Sequence, residues 1–130
     1  MNVVDSSGWL EYFADEANAD FFAEAIENIA ELLVPAISIY EVFKRVYQQR
    51  GEGDALQSVA MMEQGQVVEL DRTLALSAAK ISIDLKIPMA DSIILATARS
   101  YKATLWTQDV DFKEMEGVQY IEKVSGQKKT

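Results

Sequence analysis

Two residue types that dominate enzyme chemistry are missing: the 130 residues of this sequence include no cysteine and no histidine. The lack of cysteine excludes disulfide bonds, thiolate nucleophiles and sulfur-ligated zinc or iron clusters. The lack of histidine excludes a Ser-His-Asp triad, an imidazole acid–base pair and an HExxH zinc site. Any catalytic chemistry must therefore use carboxylates, hydroxyls, amines or a bound metal ion.

Long hydrophobic runs are also missing. No segment approaches the roughly 18 apolar residues that a membrane span needs, and the N-terminus has no basic stretch followed by a long apolar one. The absence of cysteine is compatible with a reducing compartment. The sequence therefore predicts a cytoplasmic protein without membrane association.

Positive charge is scarce. Lys and Arg number 12 against 21 Asp and Glu, which gives a formal net charge of −9. Such a charge repels nucleic acid at long range, because phosphate binding depends on Lys and Arg. A simple DNA-binding module is therefore disfavoured, although a local basic patch is compatible with this total.

Length and patterning predict a single α/β domain, because 130 residues provide one core and apolar residues make up 49% of them. Short apolar runs alternate with segments of helical spacing, which predicts a mostly parallel central sheet of about five strands flanked by helices on both faces. Strands are predicted at residues 2–5, 31–36, 66–70, 104–107 and 118–122. Helices are predicted at 6–13, 18–29, 38–50, 55–65, 71–85 and 89–102, with start signals at Asp15, Asn18, Ser38, Asp54, Asp71 and Pro88.

Acidic residues follow two of the predicted strands. Asp5 ends the first apolar run, and Asp109 and Asp111 come after "TLWTQ". Glu41 and Asp91 lie in the predicted first turns of the helices after strand two and before strand four. Ligands of parallel α/β sheets bind beyond the carboxyl ends of the strands. We therefore expect these acids to converge if strands one and four are neighbours.

These acids also have simpler structural interpretations. Ser38 and Glu41 have the spacing of a helix capping box, and Asp91 would be stabilised by the dipole of its helix. Asp109 and Asp111 could be ordinary turn residues. Each interpretation explains one residue, but none explains why the acids share one end of one sheet.

Asp5 is the hardest of the acids to explain structurally, because Ser6 or Ser7 could cap the helix that follows it.

Two carboxylates about 4 Å apart repel by about 1 kcal/mol in water and about 4 kcal/mol at an effective dielectric near 20. Several such pairs would rival the net stability of a domain, roughly 5 to 15 kcal/mol. The cluster must therefore take up protons or bind a cation.

Oxygen ligands alone favour Mg²⁺ or Mn²⁺ as that cation. A site of this kind can activate water and stabilise the leaving oxygen of a phosphodiester, so the predicted reaction class is metal-assisted phosphodiester hydrolysis. Four basic residues on the helices that carry Glu41 and Asp91 are candidate phosphate contacts: Lys44, Arg45, Arg50 and Arg99. A solvated helix face explains each of them as well.

The sequence resembles a known family in four stretches, "VVDSSGWLEYF", "SIYEVFKR", "IPMADSIILATARSYKATLWTQDVDF" and "GVQYI". Together they are similar to a PIN-domain ribonuclease, specifically a VapC-type toxin of a toxin–antitoxin pair. The resemblance implies a PIN-like nuclease domain over residues 1–125, and the closing "GQKKT" is predicted to be a flexible C-terminal tail at 126–130. It also implies an Mg²⁺- or Mn²⁺-dependent endoribonuclease that forms a homodimer and is inhibited by a cognate antitoxin.

The metal-site acids of that family map onto four residues here, Asp5, Glu41, Asp91 and Asp109. Asp111 matches a trailing acid and is a further candidate ligand. Thr107 matches the hydroxyl that precedes the last acid, and Ser6 is predicted to support the site beside it. Gly8 departs from the family, which tends to have a larger apolar residue there, so the start of the first helix is less well defined. Basic residues near the acids become candidate RNA contacts.

Two other functions compete with the ribonuclease. A signalling receiver would accept a phosphoryl group in an acidic pocket, and Lys123 could supply the lysine that such domains need. Receivers, however, have a pair of acids after strand one, whereas Ser6 and Ser7 follow Asp5 here. A PIN-fold protein that binds a partner without cleaving RNA is the second alternative.

The first predicted helical pair is rich in large apolar residues, which we predict to be mainly core and in part a groove for an antitoxin helix: Trp9, Phe13, Phe21, Phe22 and Ile26. Acids surround them, at Glu11, Asp15, Glu16, Asp20, Glu24 and Glu27. These acids suit either a basic partner peptide or a solvated helix face.

Overall fold

The computed structural model describes residues 1–124, so the tail predicted at 126–130 lies outside the described residues. Its centre is a five-stranded sheet formed by β1 (Asn2–Val4), β2 (Leu32–Pro35), β3 (Gln66–Val68), β4 (Thr104–Thr107) and β5 (Val118–Tyr120). Six α-helices surround the sheet: α1 (Ser6–Phe13), α2 (Ala19–Ile26), α3 (Ala36–Arg50), α4 (Glu52–Met62), α5 (Arg72–Leu85) and α6 (Met89–Ser100). Short 3₁₀ turns occur at Ile29–Glu31 and Val110–Phe112.

The strand order is β3-β2-β1-β4-β5, and every neighbouring pair is parallel. This confirms the predicted α/β fold and the condition set for convergence of the acids, because β1 lies directly beside β4. Val4 pairs with Trp106 at the end of the β1–β4 ladder. Strands β2 and β3 lie on one side of β1, and β4 and β5 lie on its other side.

Side chains alternate between the two faces of the sheet, and each face has its own core. Val3, Leu33 and Leu105 pack with α5 and α6 on one face. Val4 and Val34 pack with α1 to α4 on the other. The prediction of helices on both faces is confirmed, and period-2 alternation within short strands is the physical reason.

The start signals at Asn18, Asp71 and Pro88 are confirmed, since each residue immediately precedes a helix. Asp71 caps α5 by accepting a 2.8 Å hydrogen bond from the backbone N–H of Leu74. The signal at Asp15 is wrong, because this residue adopts a left-handed backbone with φ 53° in the turn between α1 and α2.

Two other predicted helix starts are also wrong. The helix predicted from Ser38 begins at Ala36, directly after β2, so the capping box of Ser38 and Glu41 does not form. Ser38 is fully buried, and its hydroxyl has no hydrogen-bond partner among residues 1–124. The helix predicted at 55–65 begins at Glu52, so Asp54 lies in its first turn rather than at its cap.

Gly8 sits where α1 crosses β1 and α2. A Cβ atom at this position would lie 2.6 Å from Cε1 of Phe22 and 2.7 Å from Cγ1 of Val4. The ring of Phe22 is fully buried and occupies the space that a larger residue at position 8 would need. The departure from the resembled family is therefore compensated by packing, and α1 keeps a regular start at Ser6.

Of the five large apolar residues predicted in the first helices, Trp9, Phe22 and Ile26 are buried in the core. They are therefore not available to line a groove. Phe13 and Phe21 are partly buried and pack against the same core. Within residues 1–124, no helix is both long and apolar enough to cross a membrane.

Candidate functional site

The carboxyl ends of β1 and β4 form the floor of a cleft of about 1250 Å³. Strand order reverses between these two strands, which is where open parallel sheets bind their ligands. Four acids predicted from the sequence line this cleft: Asp5, Glu41, Asp91 and Asp109. The structure thus brings together side chains that are up to 104 residues apart in the numbering, since the first is Asp5 and the last Asp109.

Asp5 is 4% exposed and caps α1 with its own side chain. Oδ1 accepts hydrogen bonds from the backbone N–H of Gly8 at 2.8 Å and from the hydroxyl of Ser7 at 3.1 Å. The expectation that Ser6 or Ser7 would cap this helix is therefore wrong. Asp5 performs the structural task and still lines the cleft.

The hydroxyl of Thr107 joins the two acids at the strand ends. It donates to Oδ2 of Asp5 at 2.5 Å and accepts from the backbone N–H of Asp109 at 2.9 Å. Thr107 is the last residue of β4 and is fully buried. Thr107, which the sequence predicted as a supporting residue, thus contacts both Asp5 and Asp109.

Burial raises the pKa of Asp5 from 3.8 to about 6. The hydrogen bonds from Thr107, Gly8 and Ser7 oppose this rise, and the negative charge of Asp109 adds to it. Desolvation dominates because the hydration lost on burial stabilises the charged carboxylate more than the three hydrogen bonds do.

Asp91 lies in the first turn of α6, and its pKa is likewise raised from 3.8 to about 6. Burial is the largest cause, followed by the charges of Asp109, Asp5, Glu41 and Asp111 in that order. The other four candidate acids thus all act electrostatically on Asp91. None of the four cleft acids forms an ion pair with Lys or Arg within residues 1–124.

Glu41 projects from the second turn of α3 rather than the first, because the helix begins at Ala36. Its Oε1 atom accepts a 2.6 Å hydrogen bond from the hydroxyl of Ser6. Ser6 is the first residue of α1, so this bond fixes α3 against the end of β1. Ser6, predicted as a supporting residue, thus contacts one of the cleft acids.

Asp111 is exposed, and it does not line the cleft. Its backbone N–H donates to Oδ1 of Asp109 at 2.9 Å, so Asp109 caps the short turn Val110–Phe112. Asp111 adds negative charge near Asp91. A role for it as a metal ligand remains a prediction.

The basic residues predicted to bind RNA divide into two groups. Lys44 and Arg45 line the cleft with the acids. Arg50 lines a smaller cavity of about 190 Å³ between α1, α3 and α4, and Arg99 is exposed on α6 and lines neither cavity. Lys123, near the end of the described chain, also lines the cleft.

The donor set of the cleft is composed of carboxylate and hydroxyl oxygens, which suits Mg²⁺ or Mn²⁺. No group of three or more acids within residues 1–124 is drawn tightly enough together to form a ready-made metal cage. This spacing fits an ion that is held by one or two carboxylates and keeps several waters, as Mg²⁺ usually does.

Three buried polar residues near the cleft were not predicted as site residues: Glu11, Asn18 and Gln108. Glu11 was expected on an acidic surface, but it is 5% exposed and hydrogen-bonded to Asn18 and Gln108. The sequence offers no signal for this cluster, since its members lie on different elements and are brought together by the fold.

A family model described as the PIN domain matches residues 3–118, a range that contains all four cleft acids. The chain belongs to the PIN domain family. The resemblance to a PIN domain that was inferred from the sequence is thereby confirmed. None of the curated proteins compared with this PIN domain matches it.

Solved structures share the fold of this PIN domain. A toxin–antitoxin complex from Klebsiella pneumoniae matches with a TM-score of 0.76 at 20% identity, covering 92% of this chain and 96% of that one. VapC20 from Mycobacterium tuberculosis, described as a toxin that cleaves the sarcin-ricin loop, matches with a TM-score of 0.74 at 15% identity, covering 89% and 95%. VapBC2 from Rickettsia felis, bound to a promoter DNA fragment, matches with a TM-score of 0.73 at 13% identity, covering 93% and 97%.

The receiver alternative is disfavoured by topology. Receiver domains have the strand order 2-1-3-4-5, whereas this PIN domain has the order 3-2-1-4-5. Lys123 does line the acidic cleft, as that alternative requires, but Asp5 is followed by Ser6 and Ser7 rather than by a second acid.

Proposed function

We propose that this PIN domain is a divalent-metal-dependent endoribonuclease and the toxin of a toxin–antitoxin pair. The observation that carries the proposal is the convergence of four sequence-distant acids on one cleft at the β1–β4 switch point. Structural capping accounts for Asp5 and Asp109 singly, but it does not account for Glu41 and Asp91 on the same cleft.

Asp5, Asp91, Asp109 and Glu41 together would hold Mg²⁺ or Mn²⁺, one or two of them directly and the others through its waters. When bound, such an ion supplies an activated water at neutral pH and stabilises the charge that develops on a phosphodiester. The chain itself contributes the orientation of the acids. Thr107 holds the Asp5 carboxylate and the Asp109 backbone together, and Ser6 holds Glu41.

Lys44 and Arg45 would contact phosphates on either side of the one that is cleaved. Both line the cleft, on the helix that carries Glu41. Two cations placed at one wall of an acidic cleft explain how a protein of net charge −9 could hold a polyanion. RNA is proposed as the substrate from the family resemblance and from the sarcin-ricin loop named for VapC20.

The decisive experiment is cleavage of total RNA by the purified protein with Mg²⁺ or Mn²⁺, with the break sites mapped by sequencing. We expect EDTA to abolish cleavage, and Asp5→Asn or Asp91→Asn to reduce it about a hundredfold or more, because both remove ligand charge. Asp84→Asn is the matched control, since this exposed acid lies on α5 outside the cleft.

Cleavage that persists in EDTA or in both aspartate variants would refute the metal mechanism. A folded wild type that binds its partner but cleaves neither RNA nor single-stranded DNA would support the alternative of a catalytically silent PIN protein. Cleavage of DNA alone would refute the proposed substrate and leave the metal site intact.

The antitoxin is proposed to bind near the smaller cavity. Leu10, Phe13, Val46 and Met61 line it, and Met61 is 44% exposed. These apolar residues suit one face of an amphipathic helix, and the polar lining residues Arg50, Asp54, Gln57 and Ser58 suit its flanks. Met61→Glu should weaken binding of the cognate antitoxin without changing RNA cleavage by the free protein, and unchanged antitoxin binding would exclude this surface.

A homodimer is proposed through α5. Leu76 is 61% exposed and Ile83 is 76% exposed, and the spacing of these residues places them on the same side of this helix. Leu76→Glu should convert a dimer into a monomer in light scattering after gel filtration. A wild type that is already monomeric at high concentration would refute the proposal.

A further inference from the structure

Glu11 is a buried acid that the proposed cleavage chemistry does not use. It lies on the α1 side of the cleft and is 5% exposed. Oε2 accepts a 2.8 Å hydrogen bond from the backbone N–H of Asn18, and Oε1 accepts a 3.3 Å bond from Nε2 of Gln108. A buried carboxylate is costly unless it is hydrogen-bonded, so such a residue needs a reason to be there.

The hydrogen bonds continue beyond Glu11. Nδ2 of Asn18 donates to Oε1 of Gln108 at 2.9 Å and to the backbone carbonyl of Glu122 at 3.1 Å. Asn18 and Gln108 are each 5% exposed. The three side chains Glu11, Asn18 and Gln108, which we call the Glu11 network, therefore tie together α1, the start of α2, the end of β4 and the C-terminal segment.

The position of Gln108 gives the network its consequence. Gln108 stands between Thr107, which bonds to Asp5, and Asp109, which lines the cleft. Thr107 holds the backbone N–H of Asp109, while the network holds the side chain of the preceding residue. The peptide bond between Gln108 and Asp109 is thus held at both ends. The network holds the side chain of Gln108, and Thr107 holds the N–H of Asp109.

We propose that Glu11, Asn18 and Gln108 are positioning residues that aim the Asp109 carboxylate at the metal position of the cleft. This inference rests on the proposed function and extends it to residues outside the family's acids. A network whose members all have partners specifies one arrangement, because any rotation of Gln108 would leave a buried polar group without a bond. Mutation of residues that orient metal ligands typically lowers metal affinity by about 10- to 100-fold.

The test exchanges two of the three network residues, Glu11 and Gln108. In Glu11→Gln the new amide faces the amide of Gln108, and in Gln108→Glu two carboxylates face each other. In the double variant Glu11→Gln/Gln108→Glu, the amide at position 11 can donate to the carboxylate at position 108. That carboxylate can also accept from Asn18, and the oxygen at position 11 can accept from the Asn18 backbone. All three hydrogen bonds are then possible again.

Mn²⁺ affinity by calorimetry, the RNA cleavage rate and the melting temperature should be measured for each variant. We expect each single exchange to weaken Mn²⁺ binding and cleavage about tenfold or more, and the double exchange to restore both substantially. Glu16→Gln is the matched control, because Glu16 also lines the cleft but lies outside the network, and it should leave both close to wild type.

A purely structural role would give a different result. The single variants would melt earlier, yet well below their melting temperature they would bind Mn²⁺ and cleave RNA like wild type, which would overturn the inference. Failure of the folded double variant to recover would overturn it as well. If a single variant does not fold, Gln108→Met, which keeps the shape of the side chain and removes its hydrogen bonds, must show the same loss.

The inference and the proposed function fail in distinguishable ways. A folded wild type that neither binds Mn²⁺ nor cleaves RNA would refute the proposed function and, with it, this role of the network. A wild type that does both, with variants that do so equally well, would refute the network's role alone.

Discussion

The hydroxyl of Thr107 and the carboxylate of Asp5 form a 2.5 Å hydrogen bond that joins the carboxyl ends of β4 and β1. The same hydroxyl accepts from the backbone N–H of Asp109, so one buried side chain sets the relative position of two cleft acids. The bond also opposes the rise in the pKa of Asp5 that burial causes. Thr107 therefore favours the ionised form of Asp5, which is the form that can bind a cation.

Thr107→Val should impair the site while conserving the volume of the side chain. Hydrogen bonds to charged groups contribute about 1.5–3 kcal/mol, and such a loss corresponds to roughly a tenfold or greater decrease in Mn²⁺ affinity and RNA cleavage. Calorimetry and the cleavage assay measure the two quantities. Thr107→Ser keeps the hydroxyl and should retain most of both, so equal losses in the two variants would show that packing matters instead.

The raised pKa of Asp5 predicts a specific pH dependence of stability in EDTA. Because the folded-state pKa of about 6 exceeds the ordinary value of 3.8, the folded state binds the proton more tightly than the unfolded state does. The stability contributed by this group is complete below pH 3.8 and is lost as the pH rises through about 6. Relative to Asp5→Asn, the wild type should lose up to about 3 kcal/mol between these limits.

Urea unfolding of both proteins at several pH values measures that difference directly. The comparison cancels the titration of distant carboxylates that the two proteins share. The charge of Asp109 raises the pKa of Asp5, and the charge of Asp5 raises the pKa of Asp91, so the transition should be broader than that of an isolated acid. A stability difference that does not vary with pH would contradict the raised pKa.

The two cleft cations on α3 should contribute to RNA affinity. Lys44→Ala and Arg45→Ala should each weaken RNA binding and reduce the slope of log affinity against log salt by about 0.7, because each removes one phosphate contact to a single strand. Arg99→Ala is the control, since Arg99 lies outside the cleft. Fluorescence anisotropy with a labelled RNA and the inactive Asp91→Asn protein measures binding without cleavage. Equal slopes in all three variants would place the RNA elsewhere.

Gly8 should be intolerant of even one added carbon. Gly8→Ala places a Cβ atom 2.6 Å from the buried ring of Phe22, and overpacking of this kind costs about 1–3 kcal/mol. Gly53→Ala is the matched control, because Gly53 lies in α4 with open space around its Cα atom. That change should stabilise the protein by about 0.5–1 kcal/mol. Thermal unfolding measures both, and a neutral Gly8→Ala would contradict the packing described here.

Much of this fold could be predicted from the sequence, because it depends on local patterns. The alternation of apolar runs with helical segments indicated five strands, and the caps at Asp71 and Pro88 marked two helix starts correctly. The predictions of helix starts were wrong where tertiary packing, rather than the local sequence, decided the start. Helix α3 begins at Ala36 directly after β2. Ser38 is a residue type that often caps helices, but here it is buried inside the helix.

The sequence by itself determined which chemistry is available, since a chain without histidine or cysteine offers only oxygen and amine groups, and it determined which acids stand at strand ends. Tertiary structure decided which of those groups meet. The adjacency of β1 and β4, the bond from Ser6 to Glu41 and the burial of Glu11 with Gln108 all join residues far apart in the chain. The physical reason is that side-chain type and local spacing are properties of a short segment, whereas burial and hydrogen-bond partners depend on which segments pack together.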